Sequence, residues 1–241
     1  MRGVPSDYYA RLHEVEASHW WLVGMRRIAA GLLEGRTGGA LLDAGCGTGG
    51  FLAWAAATGS FDRLCGIDVS PEAIEWVRSS LPRVEALVGS VVTPPFDDEE
   101  FDLVVLNDVL QHVPEDAVSR VLMELRRMLR PGGALLVRTN GARRLRLVRP
   151  DWRAYDAATL GAVVRSGGFR VERLTYANCL LSLMAAAPQP PTETSCGIPQ
   201  PAGRVKNAIG GALLGLEARY LRRPGRTIPY GHTLLALGVA V

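Results

Sequence analysis

The sequence is poor in cysteine, and the cysteines it has are far apart. The four cysteines among 241 residues stand at positions 46, 65, 179 and 196, so no pair has the C-x-x-C spacing of zinc or redox sites. A chain of this length buries most of its apolar surface without disulfides or metals. We therefore expect reduced thiols in a cytoplasmic protein, and no metal site.

Long apolar runs and a strong excess of one charge are missing as well. The most apolar stretch, CLLSLMAAA at 179–187, is far shorter than the roughly 18 residues that suggest a membrane span. It predicts a buried helix or a lid segment. The N-terminal residues have no signal-type apolar stretch. The net charge of +3 is too small to indicate a nucleic-acid partner, so we expect neither a membrane span nor nucleic-acid binding.

From residue 39 onward, short apolar runs alternate with segments of helical spacing. Ser70-Pro71-Glu72 is a typical helix start, and Pro131-Gly132-Gly133 is expected to stop the amphipathic helix before it. Strands alternating with helices predict a parallel α/β sheet. The expected strands cover 40–44, 63–68, 84–89, 101–106, 134–139, 169–175 and 233–241.

The stretch LLDAGCGTGG at 41–50 joins the first expected strand to a helix and fits two cofactor patterns. Gly45, Gly47 and Gly50 form G-x-G-x-x-G, the dinucleotide pattern, whereas Asp43, Gly45, Gly47 and Gly49 form D-x-G-x-G-x-G. Glycines at this position let a ligand approach the backbone at the carboxyl end of a strand. The glycines alone leave both patterns open.

Asp43 favours the second pattern. A nucleotide pyrophosphate needs the positive end of a helix, and a carboxylate just before the glycines would repel it. A ligand that carries an ammonium and a sulfonium, such as S-adenosylmethionine, would be attracted instead. Asp68, at the end of the second strand, suits the ribose hydroxyls of either cofactor and does not discriminate between them.

Four segments in order resemble the class I S-adenosylmethionine-dependent methyltransferases, in the broad group often called type 11. They are LLDAGCGTG at 41–49, GID at 66–68, FDLVVLNDVLQHV at 101–113 and LRPGGALLV at 129–137. The resemblance implies a Rossmann-like seven-stranded mixed sheet, with the last strand antiparallel beside the sixth and helices on both faces.

The resemblance also implies an order of segments along the chain. Residues 1–38 would form an N-terminal helical cap, and residues 39–176 the cofactor-binding core. Residues 177–228, with a proline-rich stretch at 188–201, would be an insert or lid over the site. Residues 229–241 would return as the last core strand, following IPYGHTLLALG at 228–238, which matches a segment of a subset of the family.

The same resemblance assigns cofactor contacts. The loop that includes Gly45, Cys46, Gly47 and Gly49 would pass under the methionine part of S-adenosylmethionine. Asp68 would bind the ribose, and Val69 would pack near the adenine. Many relatives have Gly-Asp after the third strand, where this chain has Gly89-Ser90, so Ser90 and Val91 would contact adenine differently. Asn107 would lie near the methionine end.

An aromatic cluster, HWWLVGMRR at 19–27, resembles a signature of part of this family. Trp20 or Trp21 could stack near the sulfonium, and Arg26 could hold the methionine carboxylate. Met25 departs from the signature, where relatives have an arginine. The alternative interpretation is a helix that packs its tryptophans on the core.

His112 is the first candidate for a general base, because it closely follows the fourth expected strand; a structural role beside the site is the alternative. Asp108 is the second candidate, and Gln111, His19 and Tyr8 are lesser ones.

Five arginines follow the fifth strand, at positions 143, 144, 146, 149 and 153. They suggest either a solvated loop or recognition of an anionic or carrier-linked acceptor.

The sequence therefore predicts S-adenosylmethionine-dependent methyl transfer to a small-molecule acceptor, a specialised metabolite or sugar, on oxygen, nitrogen or carbon. Two alternatives remain open. The chain could use the cofactor without transferring its methyl group, in a cyclisation or a regulatory role. It could also be an NAD-dependent oxidoreductase.

Overall fold

The computed structural model describes residues 7–141, 153–184 and 201–241. These residues form a seven-stranded sheet in the order β3-β2-β1-β4-β5-β7-β6. The strands are β1 (Ala40–Ala44), β2 (Arg63–Asp68), β3 (Glu85–Val88), β4 (Phe101–Asn107), β5 (Leu129–Asn140), β6 (Phe169–Ala177) and β7 (Thr233–Ala240). The helices are α1 (Tyr8–Glu16), α2 (Trp20–Leu32), α3 (Gly50–Thr58), α4 (Pro71–Ser80), α5 (Glu115–Met128), α6 (Ala157–Ser166), α7 (Cys179–Met184) and α8 (Arg204–Leu221), and a 3-10 turn covers Leu110–His112.

The pairing of the strands confirms the predicted mixed sheet. β1 pairs in parallel with β2 and β4, β2 with β3, and β4 with β5. β7 lies antiparallel between β5 and β6. The chain moves outward from β1 to β3 and then returns to place β4 on the other side of β1. The carboxyl ends of β1 and β4 therefore form the switch point, where open α/β sheets bind their ligands.

Helices cover both faces of the sheet, as expected. Leu122 and Leu125 of α5 and Val164 of α6 belong to the core cluster on one face. The other cluster contains Met25 of α2, Leu52 of α3, Val77 of α4 and Leu214 of α8. Among the described residues, no helix is both long enough and apolar enough to cross a membrane.

The helix α5 ends earlier than predicted. It stops at Met128 and not at Pro131, because the fully buried Leu129 is already extended and lies opposite Phe101 in the sheet. Gly132, with φ of 75°, then supplies a bend within the first part of β5. Burial of Leu129 against β4 outweighs the helical spacing that the sequence shows.

Residues 177–228 were predicted to form an insert or lid over the site. Within this range, α8 packs on α2, where Gly24 lets the Leu214 side chain approach the helix backbone closely. Gly210 of α8 gives the same room to the ring of Trp20. The helix α8 also meets the start of α7, where Glu217 accepts from the N–H of Leu180 at 3.0 Å. The lid role of the insert stays a prediction.

Candidate active site

The loop between β1 and α3 exposes its backbone because three of its residues have left-handed conformations. Gly45, Gly47 and Gly49 have φ of 85°, 53° and 89°, a region that other residues adopt at a cost of about 1–2 kcal/mol. A Cβ at Gly45 would also overlap Cγ2 of Val109. Glycine is therefore required at position 45 on two grounds, as the sequence suggested for this loop.

Three carboxylates surround this loop and repel one another. Asp43 is only 2% exposed, and burial raises its pKa to about 7. Glu16 and Asp68 raise the pKa of Asp43 further, while the nearby Arg138 opposes the shift. Burial also raises the pKa of both Glu16 and Asp68. When ionised, these three carboxylates give the site a negative potential, which favours a cationic ligand.

Buried polar atoms without partners lie at the switch point. Oδ1 of Asp43 and both side-chain polar atoms of Asn107 are buried and make no hydrogen bond to the described residues. The Asn107 amide approaches the Asp43 carboxylate and lowers its pKa, although the contact does not have the geometry of a full hydrogen bond. Buried polar groups almost always find a hydrogen-bond partner. These atoms at the ends of β1 and β4 therefore fit a polar ligand with donors for Asp43.

Asp68 is held in place by backbone groups. Its two carboxylate oxygens accept hydrogen bonds from the N–H groups of Gly47 and Ser70, each at 3.0 Å. Tyr9 of α1 also hydrogen-bonds the Asp68 carboxylate, and burial raises the pKa of this tyrosine. The helix α1 therefore lies over the end of β2 and links the N-terminal segment to the glycine loop.

Arg138 brings a buried positive charge to the same end of the sheet. The side chain, from β5, is only 8% exposed. Its Nε and Nη2 lie 3.0 and 2.6 Å from Oδ2 of Asp108, and its guanidinium is 5.3 Å from the centre of the Trp21 ring. Arg26 lies within electrostatic reach of Arg138 and of Glu16. The pair Arg26 and Arg138 could hold an anionic group beside the negative pocket.

Comparison with known proteins agrees with this geometry. Residues 42–137 match a methyltransferase domain family. Demethylmenaquinone methyltransferase of Staphylococcus aureus is 32% identical over 54% of this chain and 55% of its own. Malonyl-[acyl-carrier protein] O-methyltransferase of Methylococcus capsulatus is 32% identical over 49% of this chain and 44% of its own. Residues 42–137 are therefore similar to a methyltransferase domain, and the comparisons support the predicted class I S-adenosylmethionine-dependent methyltransferase resemblance.

One further relative extends the comparison. An uncharacterized 37.1 kDa protein in transposon TN4556 of Streptomyces fradiae is 38% identical over 56% of this chain and 41% of its own. The chain thus spans about half the length of the curated relatives it matches.

Solved structures support the fold alone. A chain of the Haloferax volcanii complex that contains the Trm112 methyltransferase activator is 22% identical, with a TM-score of 0.64 over 97% of this chain and 94% of that one. The [4+2]-cyclase SpnF is 20% identical, with a TM-score of 0.58 over 91% of this chain and 83% of that one.

S-adenosylmethionine is the cofactor of this family, and the residues present fit it. The cofactor carries a sulfonium, an ammonium and a carboxylate. The unpartnered Asp43 oxygen and the three carboxylates suit the positive groups, and the glycines at positions 45, 47 and 49 place no side chain on the loop backbone. The contact of each residue with the cofactor stays a prediction.

The two tryptophans of α2 point in different directions. Trp21 lies beside Arg138 at the switch point. Trp20 packs on Gly210 of α8, its backbone N–H donates to Oδ1 of Asn207, and its ring lines a groove of about 980 Å³ between α2 and α8. The structure therefore places Trp21, and not the predicted Trp20, next to the other site residues.

Two predicted cofactor contacts have their side chains turned into the core. Val91 is 9% exposed and belongs to the core cluster on the α5 face. Cys46 is 6% exposed, and burial raises the pKa of its thiol far above the usual range. A ligand could therefore contact only the backbone of these two residues. Because its thiol stays protonated, Cys46 is not a reactive thiolate.

At the far end of the predicted site, apolar side chains lie exposed. Val69 is 51% exposed and Val88, which pairs with Asp68 in the sheet, is 49% exposed. Exposed apolar side chains beside Asp68, which is predicted to bind the ribose, suit an adenine ring. Ser90 uses its hydroxyl oxygen to accept a hydrogen bond from the N–H of Val92 at 3.2 Å, so this turn is stabilised without the aspartate of other relatives.

The two candidate bases differ in their surroundings. Oδ2 of Asp108 accepts two hydrogen bonds from the Arg138 guanidinium, so this carboxylate oxygen is already engaged. His112 lies on the 3-10 turn after β4. Desolvation lowers the pKa of His112, although Asp108 opposes this shift. The lowered pKa favours the neutral imidazole, the form that can accept a proton, and on this ground His112 is preferred to Asp108.

The lesser candidates have structural contacts. Oε1 of Gln111 accepts from the hydroxyl of Thr139 and the N–H of Asn140, at 3.2 and 3.3 Å. Nδ1 of His19 accepts from the N–H of Trp21 at 3.2 Å and so caps α2. Tyr8 lies on α1 with its ring edge-on to Tyr9.

One member of the predicted arginine cluster is described. The N–H of Arg153 donates to the carbonyl of Gln111 at 3.2 Å, and its guanidinium lies 3.7 Å from Glu115. The other four, at positions 143, 144, 146 and 149, lie outside the described residues. The anionic-acceptor interpretation of the cluster stays a prediction.

Sequence reasoning missed four residues at the site: Tyr9, Glu16, Thr48 and Arg138. Arg138 carried a signal, because a charged residue inside the apolar run LLVRT is unusual for a buried strand. Glu16 had no such signal, since its contacts come from α1 folding back over the glycine loop.

Proposed function

We propose that this chain transfers the methyl group of S-adenosylmethionine to a small-molecule acceptor. The observation that carries the proposal is the buried Asp43 carboxylate, which has an oxygen without a partner among the described residues beside the glycine loop at the switch point. A site of this kind favours a positively charged ligand. The matching methyltransferase family supports the same reaction class.

Individual residues then take distinct binding roles. The backbone of Gly45–Gly49, with Asp43 and Asn107, holds the amino-acid end of the cofactor. Asp68 binds the ribose hydroxyls. To do so, its carboxylate gives up part of its hydrogen bonding to the backbone N–H groups of Gly47 and Ser70. Val69 packs on the adenine. Arg26, with Arg138 beside it, balances the negative pocket and meets the cofactor carboxylate.

When bound, S-adenosylmethionine supplies an activated methyl group. The chain's own residues orient the acceptor and take up its proton if it has one to lose. An imidazole nitrogen of His112 accepts this proton, because desolvation keeps the imidazole neutral. Asp108 holds the Arg138 guanidinium in place.

The acceptor enters at the carboxyl ends of β4 and β5. Nδ2 of Asn140, the last residue of β5, is buried without a partner among the described residues, which supports an acceptor with a polar group. The two named methyltransferase relatives act, by their names, on a menaquinone precursor and on a carrier-bound acid. We therefore favour a specialised metabolite or sugar that is anionic or carrier-linked, in the cytoplasm.

Labelled cofactor tests this function directly. The chain is incubated with methyl-labelled S-adenosylmethionine and a panel of naphthol, sugar and carrier-bound acid acceptors, and mass spectrometry follows label in the product. We expect a labelled product together with S-adenosylhomocysteine. Tight cofactor binding with acceptor conversion but no label transfer would favour a cyclase-type reaction, as the named activity of the SpnF fold relative illustrates.

His112→Ala separates binding from proton transfer in that assay. We expect unchanged affinity for S-adenosylmethionine and a loss of about 100-fold in turnover for acceptors that lose a proton. Normal turnover in this variant would exclude the base role of His112.

A further inference from the structure

A carboxylate from α1 lies at the N-terminal end of α3. Oε2 of Glu16 accepts a hydrogen bond from the Thr48 hydroxyl at 2.5 Å. The same carboxylate accepts from the backbone N–H of Gly50, the first residue of α3. A Cβ at Gly50 would overlap the Glu16 carboxyl group, so glycine at this position makes room for it.

The helix itself offers no cap of its own. Gly49, the residue before α3, has no side chain to bind the free N–H groups of the first turn. Such groups, together with the helix dipole, attract anions. In Rossmann-like dinucleotide proteins, this position after the glycine loop binds the pyrophosphate. Here it is filled by part of the chain.

We propose that Glu16 decides which class of cofactor the glycine loop accepts, by occupying the position where a nucleotide pyrophosphate would bind. A phosphate group that approached α3 would find the Gly50 N–H and the Thr48 hydroxyl already engaged. It would also meet a negative charge at close range. The same charge attracts the positive groups of S-adenosylmethionine, and in this respect the inference rests on the proposed function.

The placement of Glu16 is fixed from two sides. Nη2 of Arg26 donates to the backbone carbonyl of Glu16 at 2.6 Å, which holds the last turn of α1. Leu12, one turn earlier, lies against the glycine loop at Gly47. The carboxylate therefore stays at the end of α3 although its burial is unfavourable. This arrangement accounts for a G-x-G-x-x-G sequence that takes a different cofactor.

Substitutions at Glu16 test the inference with anionic probes. Isothermal calorimetry measures the affinity of the full chain for inorganic pyrophosphate and for NAD⁺. Glu16→Ala both removes the charge and opens the space, and we expect each probe to bind at least about tenfold more tightly than to the unmodified chain. Glu16→Gln removes only the charge, and we expect a smaller gain of about fivefold.

Glu14→Gln is the matched control, because Glu14 is an exposed residue of the same helix. It removes the same charge and is expected to leave both affinities unchanged. If neither Glu16 variant gains affinity for pyrophosphate or NAD⁺, or if Glu14→Gln gains as much, the inference is overturned. The glutamine variant keeps the side-chain shape, so the test survives a folding defect in the alanine variant.

A second titration separates this inference from the proposed function. S-adenosylmethionine is titrated into the same proteins, and we expect both Glu16 variants to bind it about threefold or more weakly. An unmodified chain that does not bind S-adenosylmethionine would contradict the proposed function. The pyrophosphate result would still decide whether Glu16 blocks the anion position.

Discussion

At the scale of single residues, the assignment of S-adenosylmethionine as the cofactor depends most on Asp43. Its position before the glycines is visible in the sequence, and so is the conflict with a pyrophosphate. Its environment is not, because the neighbouring charges of Glu16, Asp68 and Arg138 come from three other elements. A sequence pattern can therefore show that the carboxylate is present, whereas its raised pKa depends on the tertiary fold.

The pH dependence of stability tests the burial of Asp43. Its folded pKa is raised to about 7, so the folded state favours the neutral acid. Stability therefore falls as pH rises from the usual value of an aspartate towards 7, and levels off above it. We expect the cofactor-free chain to lose about 1 kcal/mol from this group between pH 6 and pH 8. Asp43→Asn should lack this loss in denaturant unfolding at the two pH values.

Asp156→Asn serves as the control for this measurement. The pKa of Asp156 is lowered by the N–H of Thr159, so it is ionised throughout this range and its replacement should leave the pH 6 to 8 difference intact. An Asp43→Asn protein that shows the same difference as the unmodified chain would contradict the burial argument.

At the scale of elements, the glycine loop and the α2–α8 pair were predictable to different degrees. The loop follows from its glycines and from the strand before it. The partner of α2 does not follow from the sequence. Trp20 and Trp21 lie about 100° apart around the helix, so only one of them faces the site. Which one does so depends on the packing of α8, with Gly24 and Gly210 at the contact.

Alanine substitutions at two glycines with similar backbone conformations distinguish backbone strain from a ligand-binding role of the loop. Gly45→Ala adds a side chain at φ of 85° that overlaps Val109, whereas Gly59→Ala, at φ of 61°, enters open space. We expect both to lose about 1–2 kcal/mol of stability from the left-handed conformation. In calorimetry, only Gly45→Ala should also lose affinity for S-adenosylmethionine. Equal affinities in the two variants would contradict the role of the loop.

The contact between α2 and α8 can be tested in the same way. A Cβ at Gly24 would overlap the Leu214 side chain, whereas a Cβ at Gly211 meets nothing within 4 Å. We expect Gly24→Ala to lose about 1–3 kcal/mol from overpacking. Gly211→Ala should gain up to about 1 kcal/mol from helix propensity. Thermal unfolding measures both, and a stable Gly24→Ala protein would argue against this packing.

At the scale of the whole molecule, the sheet order was predictable and the electrostatics of the site were not. Motifs in sequence order implied the seven strands and the antiparallel last one, and the structure confirms them. The net charge of +3 gives no hint of a negative pocket, because the pocket arises where Glu16, Asp43 and Asp68 converge from α1, β1 and β2. That convergence depends on how the N-terminal helix folds over the sheet.

Calorimetric titration of S-adenosylmethionine into the unmodified chain and into Asp43→Asn, at pH 8, tests the central claim most directly. Asp43 is then ionised, and the loss of a charged hydrogen-bond acceptor should weaken binding about tenfold or more. The account predicts clear binding to the unmodified chain and this loss in the variant. Absence of binding to the unmodified chain, or equal affinity in both proteins, would contradict it.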